Sequence, residues 1–198
     1  MTLRSAGDCI SPLVVLYGNN NPKGTVRIIE NHVPCRVCIK CKERHRAHWW
    51  HRAKYEMIRW GKAWFVTYTY NQDARLERLY KATKSAGFKN ADWQQEDLLK
   101  LCGQDLTKSI KRLRKNNPEV EFKYLFVFEL HKDGYPHIHG LIFTRALTKR
   151  DIEASWTLGF TKVKLVKSDD AIGYVTKYLN KDVQTRIRAS LRFGHALS

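Results

Sequence analysis

Phe126-Val127-Phe128-Glu129, followed after a short break by Gly134-Tyr135-Pro136-His137-Ile138-His139-Gly140-Leu141-Ile142-Phe143, is the stretch that decides the fold of this chain. Two histidines flank one apolar residue inside a run composed like a buried β-strand. Alternate side chains of a strand share a face, so His137 and His139 point one way and Ile138 the other. Two imidazoles side by side on one sheet surface are a natural pair of metal ligands. Glu129, on the preceding strand, offers an oxygen as a third. The Asp133-Gly134 pair between the runs predicts a turn. The plain alternative is a strand with two incidental polar residues on its wet face.

Outward from this pair, Phe122–Leu130 and His137–Phe143 are expected to be neighbouring strands. Upstream, Ala63–Tyr70 is β-branched and aromatic and predicts another strand. Between them, Leu99, Cys102, Leu106, Ile110 and Leu113 recur at helical steps, so a helix is expected over Gln95–Asn116, stopped by Asn117-Pro118. Residues 71–92 are polar and carry no clear pattern. Downstream, Thr148 caps a helix to Trp156, with Asp151 in its first turn. Gly159–Val166 alternates as a strand, and Ser168–Asp182 predicts a helix. This order suggests an α+β fold: an antiparallel sheet with helices on one side, ferredoxin-like. At the N-terminus, apolar bursts at Leu13–Tyr17 and Val26–Ile29 flank a Gly/Asn/Pro-rich turn and predict a small hairpin. A basic helix is expected from Lys42 to about Trp60. The chain thus divides into an N-terminal segment (1–60), a core (61–182) and a basic tail (183–198).

The last predicted helix carries Gly173-Tyr174-Val175-Thr176-Lys177-Tyr178-Leu179-Asn180-Lys181, a doubled Tyr-x-x-Lys. Residues three and four apart are neighbours on a helix, so Tyr174, Lys177, Tyr178 and Lys181 gather on one stripe. Ala171, Ile172, Val175 and Leu179 form an adjacent apolar stripe that can dock on the sheet. A phenol with its ordinary pKa of about 10 is a poor nucleophile, and a nearby cation favours its ionised form. The alternative is a basic amphipathic helix whose tyrosines pack at a sheet edge.

Lys and Arg outnumber Asp and Glu 36 to 19 among the 198 residues, a formal charge of +17. Such an excess points to a polyanion partner, most simply nucleic acid. Six Trp and nine Tyr interleaved with base suit stacking on unpaired bases. No apolar run is long enough to span a membrane, and the N-terminus lacks a signal-peptide pattern, so a cytoplasmic location is expected. The five cysteines do not form a disulfide framework. Cys35, Cys38 and Cys41 are instead spaced as zinc ligands, with His32, His45, His48 and Cys9 as candidates for the fourth position. Reduced cysteines at a helix start are the alternative. The basic, aromatic run that follows nominates Arg44, Arg46, Trp49 and Arg52 as DNA contacts.

Together these segments resemble the HUH endonucleases and, more narrowly, the replication initiation proteins of microviruses of the gokushovirus type. Phe65-Val66-Thr67-Tyr68-Thr69-Tyr70 resembles the first motif of that family, with Tyr68 where many members have Leu. Glu129 with Pro136–Gly140 resembles its metal motif, Tyr174–Lys181 its nucleophile motif, and Pro34–Cys41 with Trp49, Arg52 and Glu56 its cysteine-bearing segment. The resemblance implies that Glu129, His137 and His139 hold Mg²⁺ or Mn²⁺. It implies that a tyrosine cleaves single-stranded or hairpin DNA at a replication origin through a 5′-phosphotyrosine, starting rolling-circle replication. Tyr174 with Lys177 would be one nucleophile, and Tyr178 with Lys181 a second. Host helicase and polymerase, in a bacterial cytoplasm, would be the partners. No Walker-type loop is present. A plasmid relaxase, a single-strand transposase and a non-catalytic zinc-containing nucleic-acid-binding protein are the other readings the sequence leaves open.

Overall fold

A computed structural model of the chain describes residues 7–20, 26–86, 91–130, 135–177 and 187–195. It divides into two compact units, Met1–Trp49 and Trp50–Ser198.

In the first unit, β1 (Leu13–Asn20) pairs antiparallel with β2 (Val26–Val33), Leu13 opposite Val33. Both strands outrun the apolar bursts that announce them, because ladder hydrogen bonding continues through the polar flanks. The helix α1 (Ile39–Trp60) begins three residues before its predicted start, which places Cys41 in its first turn. Its second half belongs to the other unit.

The second unit is built on a five-stranded antiparallel sheet in the order β6-β3-β5-β4-β7. Its strands are β3 (Ala63–Tyr70), β4 (Phe122–Leu130), β5 (Pro136–Thr144), β6 (Gly159–Val166) and β7 (Ile187–Ala189). The helices α2 (Gln72–Ala86) and α3 (Ala91–Asn116) connect β3 to β4, α4 (Lys149–Ser155) connects β5 to β6, and α5 (Asp170–Lys177) follows β6. The first four strands with their crossovers form the βαββαβ arrangement that the element order predicts. The expected turn at Asp133-Gly134 lies outside the described residues.

The predicted packing on one side holds for α2, α3 and α4 only. Val66, Tyr68 and Tyr70 of β3, Phe126 and Phe128 of β4, and Ile138 and Ile142 of β5 form a core with Leu99, Cys102, Leu106, Ile110 and Leu113 of α3. The alternate residues Leu125, Val127, Leu141 and Phe143 are also fully buried. A second layer covers them. Tyr174 of α5 meets Phe65, Phe193 packs 5.8 Å from Phe143, and Ala53 and Met57 of α1 are buried. A sheet apolar on both faces needs cover on both, and the unbroken apolar run Leu141-Ile142-Phe143 carries that information.

The predicted basic tail begins with structure. β7 adds a fifth strand beside β4, with Leu125 opposite Ala189. Arg52 Nε donates to the Phe193 carbonyl (2.7 Å), and Gly194 N–H donates to Oε1 of the buried Glu56 (2.7 Å).

α2 escaped the sequence reading because its buried stripe is Ala74, Arg78 and Ala82, with a charge at its centre. Arg78 donates from Nε to Asp105 Oδ2 (2.7 Å) and from its second nitrogen to Oδ1 (3.1 Å), a bidentate pair joining α2 to α3. Tyr70 donates to the same carboxylate (3.2 Å). Asp105 raises the Arg78 guanidinium still further above its ordinary range, and burial raises the Tyr70 hydroxyl. Tyr68, in place of the more usual Leu, stacks between Phe126 (5.7 Å) and Trp156 (4.7 Å). Its hydroxyl is satisfied by Ser155 (3.2 Å). Gly140 sits opposite Phe126, and a Cβ there would fall 2.2 Å from the Phe126 ring, so only glycine fits after the second histidine. Among the described residues no helix is long and apolar enough to cross a membrane.

Candidate functional site

Strand register brings the metal-motif residues together. Glu129 lies directly opposite His137, and Val127 opposite His139. All three candidate ligands therefore share the face away from α3. Glu129 Oε2 is 3.1 Å from His139 Nε2. On the other side of that ring, His139 Nδ1 is 3.0 Å from Oγ1 of Thr67, its register partner on β3. Thr67 thus fixes the ring so that Nε2 faces Glu129, the arrangement by which an outer hydrogen bond orients a ligating histidine. The His137 and His139 rings are 6.2 Å apart, tilted by 29°.

This donor set fits a divalent cation. Two imidazoles and a carboxylate converge on one face, and the Glu129–His139 separation matches the spacing of about 3 Å between adjacent ligands of one small ion. The trio is nonetheless more open than the cysteine cluster described below. Replacing Thr67 with Val should release the His139 ring and weaken Mn²⁺ binding at this site about tenfold or more. Thr67→Ser should retain affinity, as titration followed by electron paramagnetic resonance would read.

Tyr174 reaches the same place from α5. Its ring is 6.3 Å from His139, edge-on at 86°, and 5.2 Å from Phe65, and it is 41% exposed. Ala171, Ile172, Val175 and Thr176 are buried and hold the helix down, as the predicted apolar stripe requires. Lys54 of α1 pairs with Asp169 just before the helix begins. Lys177 closes α5, but its side chain, like Tyr178 and Lys181, lies outside what the structure describes. Sequence reading missed Thr67 and Phe65 as parts of this site. Both lie on the predicted first-motif strand, but only the β3–β5 pairing, which a sequence does not disclose, puts them beside His139.

In the other unit, Cys9, Cys35, Cys38 and Cys41 bring their sulfurs within 4.8 Å of one another. Among the described residues, no other group of three or more potential ligands closes so tightly. The Cys9–Cys38 and Cys35–Cys41 sulfurs are 3.9 and 4.0 Å apart, near the spacing of about 3.8 Å that tetrahedral Zn–S bonds impose. Cys9 takes the fourth position that the sequence left open among it and three histidines. Backbone N–H groups of Ile10 and Cys41 hold the Cys38 thiol down at about 6, and those of Cys38 and Val37 lower Cys35. Burial pushes the Cys41 thiol up to about 12. These four thiols can hold a metal ion such as zinc.

The four nominated DNA contacts differ in their surroundings. Arg46 is exposed. Arg44 pairs with Asp8, and Trp49 Nε1 donates to His45 (3.0 Å). Arg52 is engaged by the Phe193 carbonyl, with the Phe193 ring 5.9 Å from its guanidinium.

No curated protein and no solved structure matches the chain. The profile of the replication-associated protein ORF2 family matches residues 63–183, more than half of the chain, and spans β3 through α5 with every residue of the tyrosine–histidine–glutamate site. The chain belongs to this family of replication-associated proteins.

Proposed function

We propose that this protein initiates rolling-circle replication by nicking and rejoining single-stranded DNA at an origin, through a covalent bond to Tyr174. The observation that carries the reading is the meeting of Glu129, His139 and Tyr174, from three separate elements, at one partly exposed spot of the sheet.

The Tyr174 hydroxyl attacks the scissile phosphorus and gives its proton to solvent. The bond from phosphorus to the 3′ oxygen breaks, and that oxygen leaves and takes up a proton. The 5′ side stays joined to the tyrosine as a phosphodiester, so the bond is stored and no nucleotide cofactor is consumed. Rejoining is the reverse: a 3′-hydroxyl attacks the phosphotyrosine and frees the phenol. Glu129, His137 and His139 would hold Mg²⁺ or Mn²⁺, which supplies charge neutralisation at the phosphate. Thr67 keeps the His139 ring in place, and Phe65 supports both His139 and Tyr174. Lys177 stands one helical turn beyond Tyr174. Tyr178 with Lys181 would supply a second cleavage at the end of a replication round. Host helicase and polymerase would extend the freed 3′ end. The cysteine cluster would hold structural zinc, with Arg46 and Trp49 nearby on α1 as DNA contacts.

The test is incubation of the full chain with labelled single-stranded origin DNA, or a random-sequence pool, with and without Mn²⁺. A metal-dependent adduct that survives denaturing electrophoresis, mapped by mass spectrometry to Tyr174, is the expected result. Tight binding with no adduct under any divalent metal would leave a DNA-binding protein without this chemistry.

A further inference from the structure

We infer that β6 is the landing strip for the single strand beside the site, with Lys162 and Lys164 taking phosphates and Phe160 stacking on a base. The inference deepens the nicking function proposed above and rests on it for the class of substrate.

Strand register makes the case. Lys162 lies opposite Thr67, and Thr67 lies opposite His139, so one cross-strand row runs from the edge of the sheet to the site. Neighbouring strands are about 4.8 Å apart, which puts Lys162 about 10 Å from His139. Phe160 lies opposite Thr69 and Lys164 opposite Phe65 on the flanking rows. All three side chains therefore share the histidines' face, while Val163 between them is buried on the other.

That face is open in one direction only. Toward β4 and β7, Leu125 and Val127 are fully buried and Phe193 closes over Phe143. Toward β6 nothing comparable intervenes: β6 is the edge of the sheet, and Phe160 is 73% exposed. A strand leaving the Tyr174–His139 spot along the sheet has this side available. Among the described residues, neither Lys162 nor Lys164 is in an ion pair, whereas Lys54, Lys81, Lys100 and Lys149 all are.

Lysines on an edge strand also discourage pairing between copies of a protein. That role leaves the exposed Phe160 ring unexplained and would itself be served better by a charge at that position. Two unpaired cations alternating with an exposed aromatic are what binding of a flexible single strand uses: backbone neutralisation together with base stacking that tolerates any sequence.

The experiment is fluorescence anisotropy of a labelled oligothymidylate with the full chain, across a salt series without added divalent metal. Phe160→Ala should weaken binding about tenfold at unchanged salt dependence, as loss of a stacking contact does. Lys162→Gln with Lys164→Gln should lower the slope of log affinity against log salt by about 1.4, two single-strand phosphate contacts. Both positions are exposed, and thermal melts would verify that the variants fold. Wild-type affinity in Phe160→Ala together with an unchanged slope in the lysine variant would overturn the inference, as would failure of the wild type to bind the oligomer. The same preparations given Mn²⁺ separate this from the catalytic reading. Adduct formation with unaffected binding variants overturns the β6 strip alone. Binding that depends on β6 without any adduct overturns the nicking function and keeps the strip.

Discussion

Tyr174→Phe should abolish the covalent adduct at this position and lower cleavage by at least about a thousandfold, while DNA affinity stays within about twofold of wild type. Only the phenolic oxygen is removed. The ring keeps its edge contact with Phe65 and its place beside His139. Because the side chain is 41% exposed and α5 is anchored by Ile172, Val175 and Thr176, the fold should not respond. A double replacement of His137 and His139 by Ala should likewise remove cleavage and keep binding. It differs in one measurable way: the double variant loses Mn²⁺ affinity, whereas Tyr174→Phe retains it. A residual adduct in Tyr174→Phe that maps to Tyr178 would establish two working tyrosines. An undiminished adduct at any other residue would remove Tyr174 from the chemistry.

The parts of the fold legible in the sequence are those whose signal is local. The β4 and β6 boundaries, the Thr148 cap with its Asp151 capping box, and the Ala171–Val175 stripe all follow from nearest-neighbour patterning, and the structure has them as read. α2 was illegible because Arg78 occupies the centre of its buried stripe, and only its partner Asp105, 27 residues away, makes that burial affordable. The second layer over the sheet was illegible for a related reason. Its closing piece, Phe193, is a lone aromatic in a basic stretch, and its partners Arg52 and Glu56 lie far off in sequence. At the site, residue types announced Glu129, His137, His139 and Tyr174. Thr67 needed the strand pairing, and so did Phe160, Lys162 and Lys164, whose period-two alternation reads equally well as an ordinary wet face.

Removing the metal from the cysteine cluster should undo the N-terminal unit and spare the other. Among the described residues of Met1–Trp49, the sole buried apolar side chain is Cys41, while Leu13, Val14 and Val15 are all exposed. A two-stranded hairpin with so little core is marginal in water, and units of this size ordinarily need a metal or disulfide to fold. All five cysteines are free thiols, so no covalent staple is available. The purified protein is therefore expected to carry about one equivalent of zinc. Cys38→Ser should weaken zinc by more than about a hundredfold, since it removes the thiolate that backbone N–H groups favour most. Limited proteolysis after chelation, or of Cys38→Ser, should cut within residues 1–49 and leave a resistant fragment from about Trp50 onward, because the sheet and its two layers lie wholly in that unit. Cys9→Ser should behave as Cys38→Ser does, although Cys9 lies 26 residues before Cys35, because closing that loop onto the start of α1 is what the fourth thiolate accomplishes. Zinc-free purified protein with an unchanged digestion pattern in both variants would reduce the cluster to four neighbouring thiols.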